Sequence, residues 1–393
     1  MKMKKKYNLT LITLSKSQGG ASIAAERIRL NLRKKFKIQS IYSKNLGFFQ
    51  SIKYMFAKLI TKIFIRNELL LNSPNLFSKV DLKDVKGKII FLNWIGEETI
   101  SINDLISTKK TIIWTIHDLW PFTSTEHFLE NPFKENYLEK DSYKNYLKKI
   151  IFKKKKKLFK KKNIFLITNS KWLEKFCIKS SLTRNTKVKT IYNPIETNLW
   201  KRKNQNFSKK KLGLNLKKKY ILVGAHGGLK NYRKGGDLLI ESLKYLSYLN
   251  DEFEFLILGN DTNTNENING FNFNFRKFTS NKTDQMFFHS ASELTVSPSR
   301  AESIPQFIVE TILCNNPVVS FDIGGMSEII DHKKNGFLAS PFNKKRFAQG
   351  IIYCLKNCGK KNLLNNRKKI VKMFDQKKNL NEYSKVIKSF LKS

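Results

Sequence analysis

Short apolar runs alternate with amphipathic, helix-length segments along the whole chain. The runs are bounded by turn residues, which is typical of buried strands. They cover residues 7–14, 88–95, 111–116, 163–168, 220–223, 253–258 and 317–321. Apolar residues at helical spacing follow several of them, as at 22–35 and 237–246. Alternating strands and helices predict an α/β fold with parallel sheets.

The length of the chain predicts two domains. Its 393 residues are more than a domain with a single hydrophobic core usually contains, and they fit two domains of roughly 150–200 residues each. Apolar residues make up 40% of the chain, which is enough to fill both cores.

The charge is strongly unbalanced, with 75 Lys and Arg against 31 Asp and Glu, a net charge of +44. Such a field favours anionic partners, which include nucleic acid, anionic lipid and phosphorylated substrates. The chain is also crowded with Lys, Asn, Ile and Phe throughout, as an AT-rich genome would produce. A functional and a compositional origin of the charge both remain open.

No run of apolar residues reaches the roughly 18 that a membrane span needs. The basic start and short apolar run at 1–14 fit a first strand better than a signal peptide. The four cysteines have no Cys-x-x-Cys spacing, which favours reduced thiols. These features predict a cytoplasmic protein, with a peripheral position on the inner face of the membrane as an alternative.

Two basic amphipathic segments bear on that alternative. Residues 47–71 predict a helix whose apolar face is either core or membrane-interfacial, and core is the commoner case. Residues 147–162 hold the densest lysine run, interrupted by Ile150, Ile151, Leu158 and Phe159. A solvated charged face and docking on an anionic membrane are both consistent with this run.

The segment from Ser297 to Glu328 predicts a strand end, a turn-rich loop, a helix and a strand. Glu302 lies in the loop and Glu310 about two turns into the helix. Ligands of open α/β sheets bind at the carboxyl ends of strands, and helix N-termini suit phosphate. The segment therefore predicts an anion-binding site.

Three other places carry candidate chemistry. Arg233 and Lys234 precede a helix, where two cations would neutralise a diphosphate. His117 follows the strand 111–116, at the end where an imidazole can reach a ligand. Gly19 and Gly20 lie between the first strand and helix, either as a tight turn or as a close approach to a ligand. They lack the full G-x-G-x-x-G fingerprint, which argues against a plain dinucleotide site.

The spacing from Glu302 to Glu310, with Pro298-Ser299 before it and PVVSFDIGGMSEII behind it at 317–330, resembles the nucleotide-sugar signature of retaining glycosyltransferase family 4. The sequence IHDLWPFT at 116–123 resembles the colanic-acid-type branch of the bacterial polysaccharide transferases. That branch continues with Gly-Gly-Cys-His-Tyr, where this chain has STEHF at 124–128. The acceptor of that branch is therefore not carried over.

The resemblance implies a GT-B fold, in which two Rossmann-like domains face each other across a cleft. The sequence NPIE at 193–196 resembles the family's crossover between domains. We therefore expect an acceptor-side domain at 1–193 and a nucleotide-sugar-binding domain at 194–378. The last helix, 379–393, is expected to cross back to the first domain.

The resemblance also implies roles for individual residues. Four are expected to be catalytic: His117, Glu302, Lys234 and Arg233. Six are expected to bind the donor: Gly19, Gly20, Ser303, Ile304, Gln306 and Glu310. In this scheme Glu310 binds the ribose, Glu302 the donor sugar, and backbone N–H groups the diphosphate.

The implied activity is retaining, metal-independent transfer of a hexose-type sugar from a nucleotide-sugar to a hydroxyl of a glycan or lipid-linked acceptor. The expected context is surface polysaccharide or lipopolysaccharide biosynthesis, with no cofactor and with an anionic membrane surface as a further partner. A GT-B relative with altered chemistry, an epimerase or a non-catalytic binding protein, is the alternative. A basic nucleic-acid-binding protein is a remote one, because the sequence has no RNP-like motif, helix-turn-helix or zinc finger.

Overall fold

The chain forms two compact units, Met1–Pro194 with Gln376–Ser393, and Ile195–Asp375. The computed structural model describes residues 7–16, 19–43, 48–64, 74–129, 146–224 and 227–392. The sequence placed the divisions at 193/194 and 378/379. Each unit is an α/β structure around a mainly parallel sheet, as the alternating pattern predicted.

The first unit is built on a sheet in the order β2-β1-β3-β4-β5-β6, with every neighbouring pair parallel. Its strands are β1 Leu9–Thr13, β2 Ile38–Tyr42, β3 Ile89–Leu92, β4 Thr111–Ile116, β5 Ile164–Thr168 and β6 Lys187–Thr190. Its helices are α1 Gly19–Leu32, α2 Phe48–Phe64, α3 Ile102–Ser107, α4 Tyr146–Phe159 and α5 Lys171–Lys179, with 3-10 turns at Leu82–Asp84 and Trp120–Phe122.

The second unit has the strand order β13-β12-β11-β7-β8-β10-β9, and its neighbours are parallel except for the β9–β10 pair. Its strands are β7 Lys219–Gly224, β8 Phe253–Asn260, β9 Thr264–Ile268, β10 Phe271–Lys277, β11 Leu294–Ser297, β12 Val318–Phe321 and β13 Gly336–Ala339. Its helices are α6 Gln205–Lys211, α7 Gly236–Ser242, α8 Lys282–Ala291, α9 Gln306–Leu313, α10 Met326–Ile329, α11 Lys344–Asn357 and α12 Lys360–Phe374, with 3-10 turns at Tyr232–Lys234, Leu243–Tyr245 and Ser247–Leu249.

The last helix, α13 Gln376–Lys392, packs into the first unit. Tyr383 is fully buried there, and its ring meets Phe91 edge-on at 6.1 Å between centroids. At the rim of this core, Lys189 Nζ lies 2.6 Å from Glu382 Oε2. Burial of the apolar face of α13 therefore ties the end of the chain to the sheet of the first unit.

Helix α1 begins earlier than the sequence pattern predicted. The loop was expected to run through Ala21, but the helix begins at Gly19 and ends at Leu32. Gly19 has a φ of +80°, a left-handed conformation that costs glycine little. The first N–H groups of a helix need no helical partner, so low-propensity glycines are tolerated in its first turn.

The lysine run at 147–162 is only partly a solvated face. Lys148 and Lys155 on α4 are buried, and Lys148 Nζ pairs with Glu126 Oε1 at 2.6 Å. Lys155 Nζ donates to the carbonyl oxygens of Trp120, Thr123 and Ser124 at 2.5, 2.9 and 3.1 Å. Two of the lysines thus hold the Trp120–Glu126 segment in place. The apolar residues of α4 that interrupt the run, Ile151, Phe152, Leu158 and Phe159, are buried.

The core interpretation of residues 47–71 is wrong for the outward face of α2, while residues 47 and 65–71 of that prediction lie outside the described part of the chain. Four large apolar side chains of that helix are exposed: Met55, Phe56, Leu59 and Ile63. Helical periodicity alone does not decide which surface an apolar stripe faces, because core and interfacial helices share it.

Candidate active site

Two loops of the second unit bring opposite charges together. Strands β7 and β11 are parallel neighbours, so the loops that follow them leave from the same edge of the sheet. The loop after β7 carries Arg233 and Lys234, and the loop after β11 carries Glu302. Glu302 Oε1 lies 2.7 Å from Arg233 Nη1 and 2.6 Å from Lys234 Nζ. The structure therefore joins three of the four residues that were predicted to be catalytic.

Backbone contacts hold these loops against each other. The N–H of Arg300 donates to the carbonyl of Arg233 at 2.8 Å. Gly235 has a φ of +68°, and a Cβ there would collide with the carbonyl of Pro298. The guanidinium of Arg300 pairs with Asp237 and lies 4.0 Å from the centre of the Tyr232 ring. These contacts between the two loops fix the positions of the charged groups.

The charges of the cluster perturb one another. Burial raises the pKa of Glu302, but Arg233 and Lys234 outweigh burial, so that the pKa lies below its usual value. Burial lowers the pKa of Lys234, with Glu302 opposing and Arg233 reinforcing this effect. A second anion would therefore relieve the repulsion between the two cations.

A glycine pair supports the Glu302 loop. Gly325 N donates to the carbonyl of Ser303 at 2.7 Å, and a Cβ at Gly325 would lie 2.6 Å from Ile304 Cγ1. Gly324 has a φ of +56° and lies directly against the backbone of Glu302. The two glycines of the DIGG sequence are therefore explained by their packing against the loop.

The remaining donor-binding candidates of this unit follow Glu302 in the loop and in helix α9. Ser303 and Ile304 are buried in the loop, and Gln306 opens α9. The N-cap residue of this helix is Pro305, whose side chain makes no capping hydrogen bond. Glu310 is buried in the second turn of α9, and its Oε1 accepts from Gln306 Nε2 at 2.8 Å. A loop backbone and a helix N-terminus thus follow Glu302 directly, and a second carboxylate lies in the second turn of that helix.

His117, the fourth predicted catalytic residue, belongs to the first unit. It follows β4, and its Nε2 lies 2.5 Å from Asn93 Oδ1. With Asn93 Oδ1 as the acceptor, Nε2 carries the proton and Nδ1 accepts from Asn169 Nδ2 at 3.4 Å. Burial lowers the pKa of His117 to about 4, with Asp118 opposing, so the imidazole is neutral at pH 7.

Sequence reasoning missed the network next to His117. Asp118 Oδ2 accepts from Trp94 Nε1 at 2.9 Å and from His127 Nδ1 at 2.8 Å. The ring of His127 stacks on Trp94 at 5.1 Å between centroids. Burial raises the pKa of Asp118, but the contacts with His127 and Trp94 outweigh it and lower the pKa. The two residues were visible in the sequence, Asp118 in IHDLWPFT and His127 in STEHF, but the sequence pattern did not predict that their side chains contact each other.

Gly19 and Gly20 also lie in the first unit, as the exposed first residues of α1. Among the residues that the structure describes, no heavy atom would lie within 4 Å of a Cβ at either position. Close packing within the chain therefore does not explain the pair, although the φ of +80° at Gly19 does favour glycine there. In the part of the chain that the structure describes, no group of three or more His, Cys, Asp or Glu residues is arranged to hold a metal ion.

Known proteins resemble this chain in part of its sequence. Residues 204–386, just under half of the chain, match the family described as Glycosyl transferases group 1. An uncharacterized glycosyltransferase of Methanocaldococcus jannaschii is 28% identical over 221 residues, which are 52% of this chain and 55% of that protein. The matches span between 23% and 55% of the length of the curated relatives.

Solved structures resemble the whole chain. HepE of Anabaena, crystallised in complex with UDP and glucose, has a TM-score of 0.64 at 16% identity, covering 98% of this chain and 100% of that one. Sucrose-phosphate synthase of Thermosynechococcus elongatus has a TM-score of 0.71 at 12% identity, covering 98% and 99%. At these identities the likeness establishes the fold. The chain has the GT-B fold, and its residues 204–386 match the glycosyltransferase group 1 family.

Proposed function

We propose that this protein is a retaining glycosyltransferase that moves a hexose-type sugar from a nucleotide-sugar to a hydroxyl group. The observation that carries the proposal is the contact of Glu302 with both Arg233 and Lys234 at the carboxyl ends of β7 and β11. In the second unit this cluster lies at the edge where α/β sheets bind nucleotides. The group 1 domain and the GT-B fold support the same activity.

The two cations fit the diphosphate of such a donor. When the bond between sugar and diphosphate breaks, the leaving group gains negative charge, and fixed cations stabilise it without reorganisation. Arg233 and Lys234 would pair with the phosphate oxygens, which frees Glu302 to accept hydrogen bonds from hydroxyls of the sugar. The N-terminus of α9 and the Ser303–Ile304 backbone would hold the remaining phosphate oxygens.

Retention of the anomeric configuration is the stereochemistry we propose. The acceptor oxygen would bond to the anomeric carbon on the face from which the diphosphate leaves, and the hydroxyl proton would pass to the departing phosphate oxygen. Glu302 is held by two cations and Glu310 accepts a hydrogen bond from Gln306, so neither suits the acid and base roles of a hydrolase. Catalysis would then rest on positioning and electrostatics.

The donor and acceptor classes are part of the proposal. The HepE neighbour was crystallised with UDP and glucose, which supports a uridine nucleotide as the first donor to test. The acceptor that we propose is a hydroxyl of a glycan or lipid-linked glycan in surface polysaccharide or lipopolysaccharide biosynthesis, and it rests on the general resemblance to retaining glycosyltransferase family 4, not on the IHDLWPFT sequence. His117 would meet the donor sugar as a neutral imidazole, with a sugar hydroxyl taking the place of Asn169 Nδ2 as the donor to its Nδ1.

The test is a screen of the purified protein against UDP-, GDP-, ADP- and CMP-sugars, read by thermal shift and by release of the sugar. One nucleotide that raises Tm, with slow release of its sugar to water, is the expected result. Tm shifts without any turnover, even with acceptors supplied, would favour a non-catalytic binding protein. No response to any donor, together with tight salt-sensitive binding to RNA, would contradict the proposal.

A further inference from the structure

Helix α2 places its small residues inward and its large apolar residues outward. Ala57 is fully buried and Thr61 nearly so, and the hydroxyl of Thr61 donates to the carbonyl of Ala57 at 2.7 Å. In contrast, Met55, Phe56, Leu59 and Ile63 are 67%, 58%, 53% and 57% exposed. This is the reverse of the usual surface helix, which turns its large apolar stripe towards the core.

The exposed residues form one continuous face. At about 100° per residue, Met55, Leu59, Ile63 and Phe56 lie at roughly 160°, 200°, 240° and 260° around the helix axis from Ala57. The apolar arc is thus centred almost opposite the buried side of the helix. Residues three and four apart on a helix are neighbours, so these side chains make one patch instead of scattered exposed groups.

Positive charge borders this patch. Lys58 and Lys62 are exposed and lie at roughly 100° and 140° from Ala57, between the buried side and the apolar arc. The sequence of α2 contains no Asp or Glu, and the whole chain carries +44. The ring of Tyr54, which is half-buried, contacts Lys58 Nζ at 4.8 Å and Lys79 Nζ at 4.3 Å. The helix itself therefore contributes basic and no acidic side chains beside the apolar face, while the charges of Glu97 and Glu98 lie close enough to act on Tyr54.

We propose that the outward face of α2 binds the surface of an anionic lipid bilayer. Met55, Phe56, Leu59 and Ile63 would enter the boundary between headgroups and acyl chains, while Lys58 and Lys62 pair with lipid phosphates. A helix with a large apolar face, a basic border and no acidic residue has the composition that lies in a membrane interface. Each exposed cation near an anionic leaflet adds to the attraction.

The charge argues against a second copy of the chain on this face. A symmetric contact would bring the Lys58 and Lys62 side chains of both copies together, in two molecules that each carry +44. An anionic bilayer removes that repulsion. In the part of the chain that the structure describes, no helix is long and apolar enough to cross a bilayer.

The lysine run of α4 has a different character. Its exposed residues include Lys149, Lys153, Lys156 and Lys157, but the apolar residues Ile151, Phe152, Leu158 and Phe159 are buried in the unit. Helix α4 therefore offers charge without side chains that insert. We assign the insertion to α2 and long-range attraction to the lysines of α4.

The test is co-sedimentation with phosphatidylcholine vesicles that do or do not contain phosphatidylglycerol. Wild type is expected to bind the anionic vesicles and to be released by high salt. The variant Phe56→Gln/Leu59→Gln/Ile63→Gln keeps good helix formers on an exposed face, and we expect it to bind about tenfold more weakly or worse. The matched control Ile178→Gln/Leu199→Gln/Tyr248→Gln removes three exposed apolar side chains elsewhere and should bind like wild type.

A second measurement locates the inserted residue. Leu59→Cys in a Cys358→Ser background, labelled with a polarity-sensitive fluorophore, should shift to the blue on anionic vesicles, whereas Ile178→Cys should not. The other three cysteines are buried. Circular dichroism and Tm confirm that each variant is folded.

Three results would overturn the proposal. The first is equal binding of wild type and the α2 variant, with loss in Lys153→Glu/Lys157→Glu instead. The second is equal binding to neutral and anionic vesicles. The third is no vesicle binding combined with a concentration-dependent oligomer that the α2 variant abolishes, which would assign the face to a second copy. None of these readouts depends on sugar transfer, so this proposal and the proposed function fail separately.

Discussion

Gly324 lies directly against the backbone of Glu302, and it does so in a left-handed conformation with a φ of +56°. The backbone of Glu302, whose carboxylate contacts two cations, is thereby packed against a residue 22 positions later in the chain. The next residue, Gly325, adds a hydrogen bond from its N–H to the carbonyl of Ser303 at 2.7 Å. The conformation of the Glu302 loop therefore depends on two glycines from a later part of the chain.

The first prediction concerns this support. Gly324→Ala adds a Cβ where the Glu302 carbonyl lies and forces alanine into a left-handed conformation, which alone costs about 1–2 kcal/mol. We expect lower stability in urea unfolding and weaker nucleotide-sugar binding by about tenfold or more. Gly359→Ala is the control, because its Cβ would meet no atom within 4 Å and its φ is −71°. Equal donor binding by the two variants would contradict the role of Gly324.

A second prediction concerns the buried lysine of α4. Lys155→Met leaves the carbonyls of Trp120, Thr123 and Ser124 without their shared donor, and unsatisfied buried polar groups cost about 1–3 kcal/mol each. Lys155 Nζ also lies 3.4 Å from the centre of the Trp120 ring. We expect a loss of at least about 2 kcal/mol in urea unfolding. The exposed neighbour Lys156→Met should change stability by less than about 0.5 kcal/mol, and a similar loss in both would refute the distinction.

A third prediction concerns pH. His289 is fully buried, and burial lowers its pKa from 6.5 to about 3. Between these values the unfolded chain binds the proton and the folded chain does not, so stability falls as the pH falls through that window. At pH 4.5 this residue alone should account for about 2–3 kcal/mol.

Urea unfolding at pH 7 and at pH 4.5 checks this prediction. His289→Gln should lose part of the acid sensitivity of the wild type. His117 adds to the wild-type effect in the same direction, because its pKa is lowered to about 4. An identical pH dependence of wild type and His289→Gln would show that His289 is not held neutral.

A fourth prediction concerns metal ions. If Arg233 and Lys234 supply the positive charge for the leaving diphosphate, turnover should persist in EDTA. A parallel assay with added Mg²⁺ or Mn²⁺ should give a rate within about twofold of the metal-free rate, which is under about 0.4 kcal/mol of activation free energy. Loss of turnover in EDTA and its recovery on adding a divalent ion would assign the charge to a metal.

The α/β fold was predictable because its signal is local. Short apolar runs and turn residues marked strands such as β4, whose bounds at Thr111–Ile116 match the prediction, and the length implied two domains. The meeting of Glu302 with Arg233 and Lys234 depends on the pairing of β7 with β11, which lie about seventy residues apart in the chain. The expectation that these residues act at one site came from the family resemblance, because local periodicity carries no information on the order of strands in a sheet.

The failures have physical causes of a different kind. The apolar stripe of α2 has the period of a core helix, and only the packed unit shows that Ala57 faces inward and Leu59 outward. The lysines of α4 looked alike in sequence, but Lys148 and Lys155 are buried because Glu126 and three carbonyls satisfy them. Burial of a charge depends on such distant partners, which no local pattern records.

The most direct test of the central claim is donor binding by Lys234→Ala beside Lys230→Ala. Lys230 is an exposed cation of the same loop, so it controls for lost charge. Isothermal titration with the nucleotide-sugar found in the screen, together with kcat/KM, compares the two variants. We predict that Lys234→Ala loses at least about tenfold in kcat/KM, roughly 1.4 kcal/mol of transition-state stabilisation, and that Glu302→Ala does likewise. Wild-type turnover in Lys234→Ala and Glu302→Ala would contradict the assignment of this cluster as the donor site.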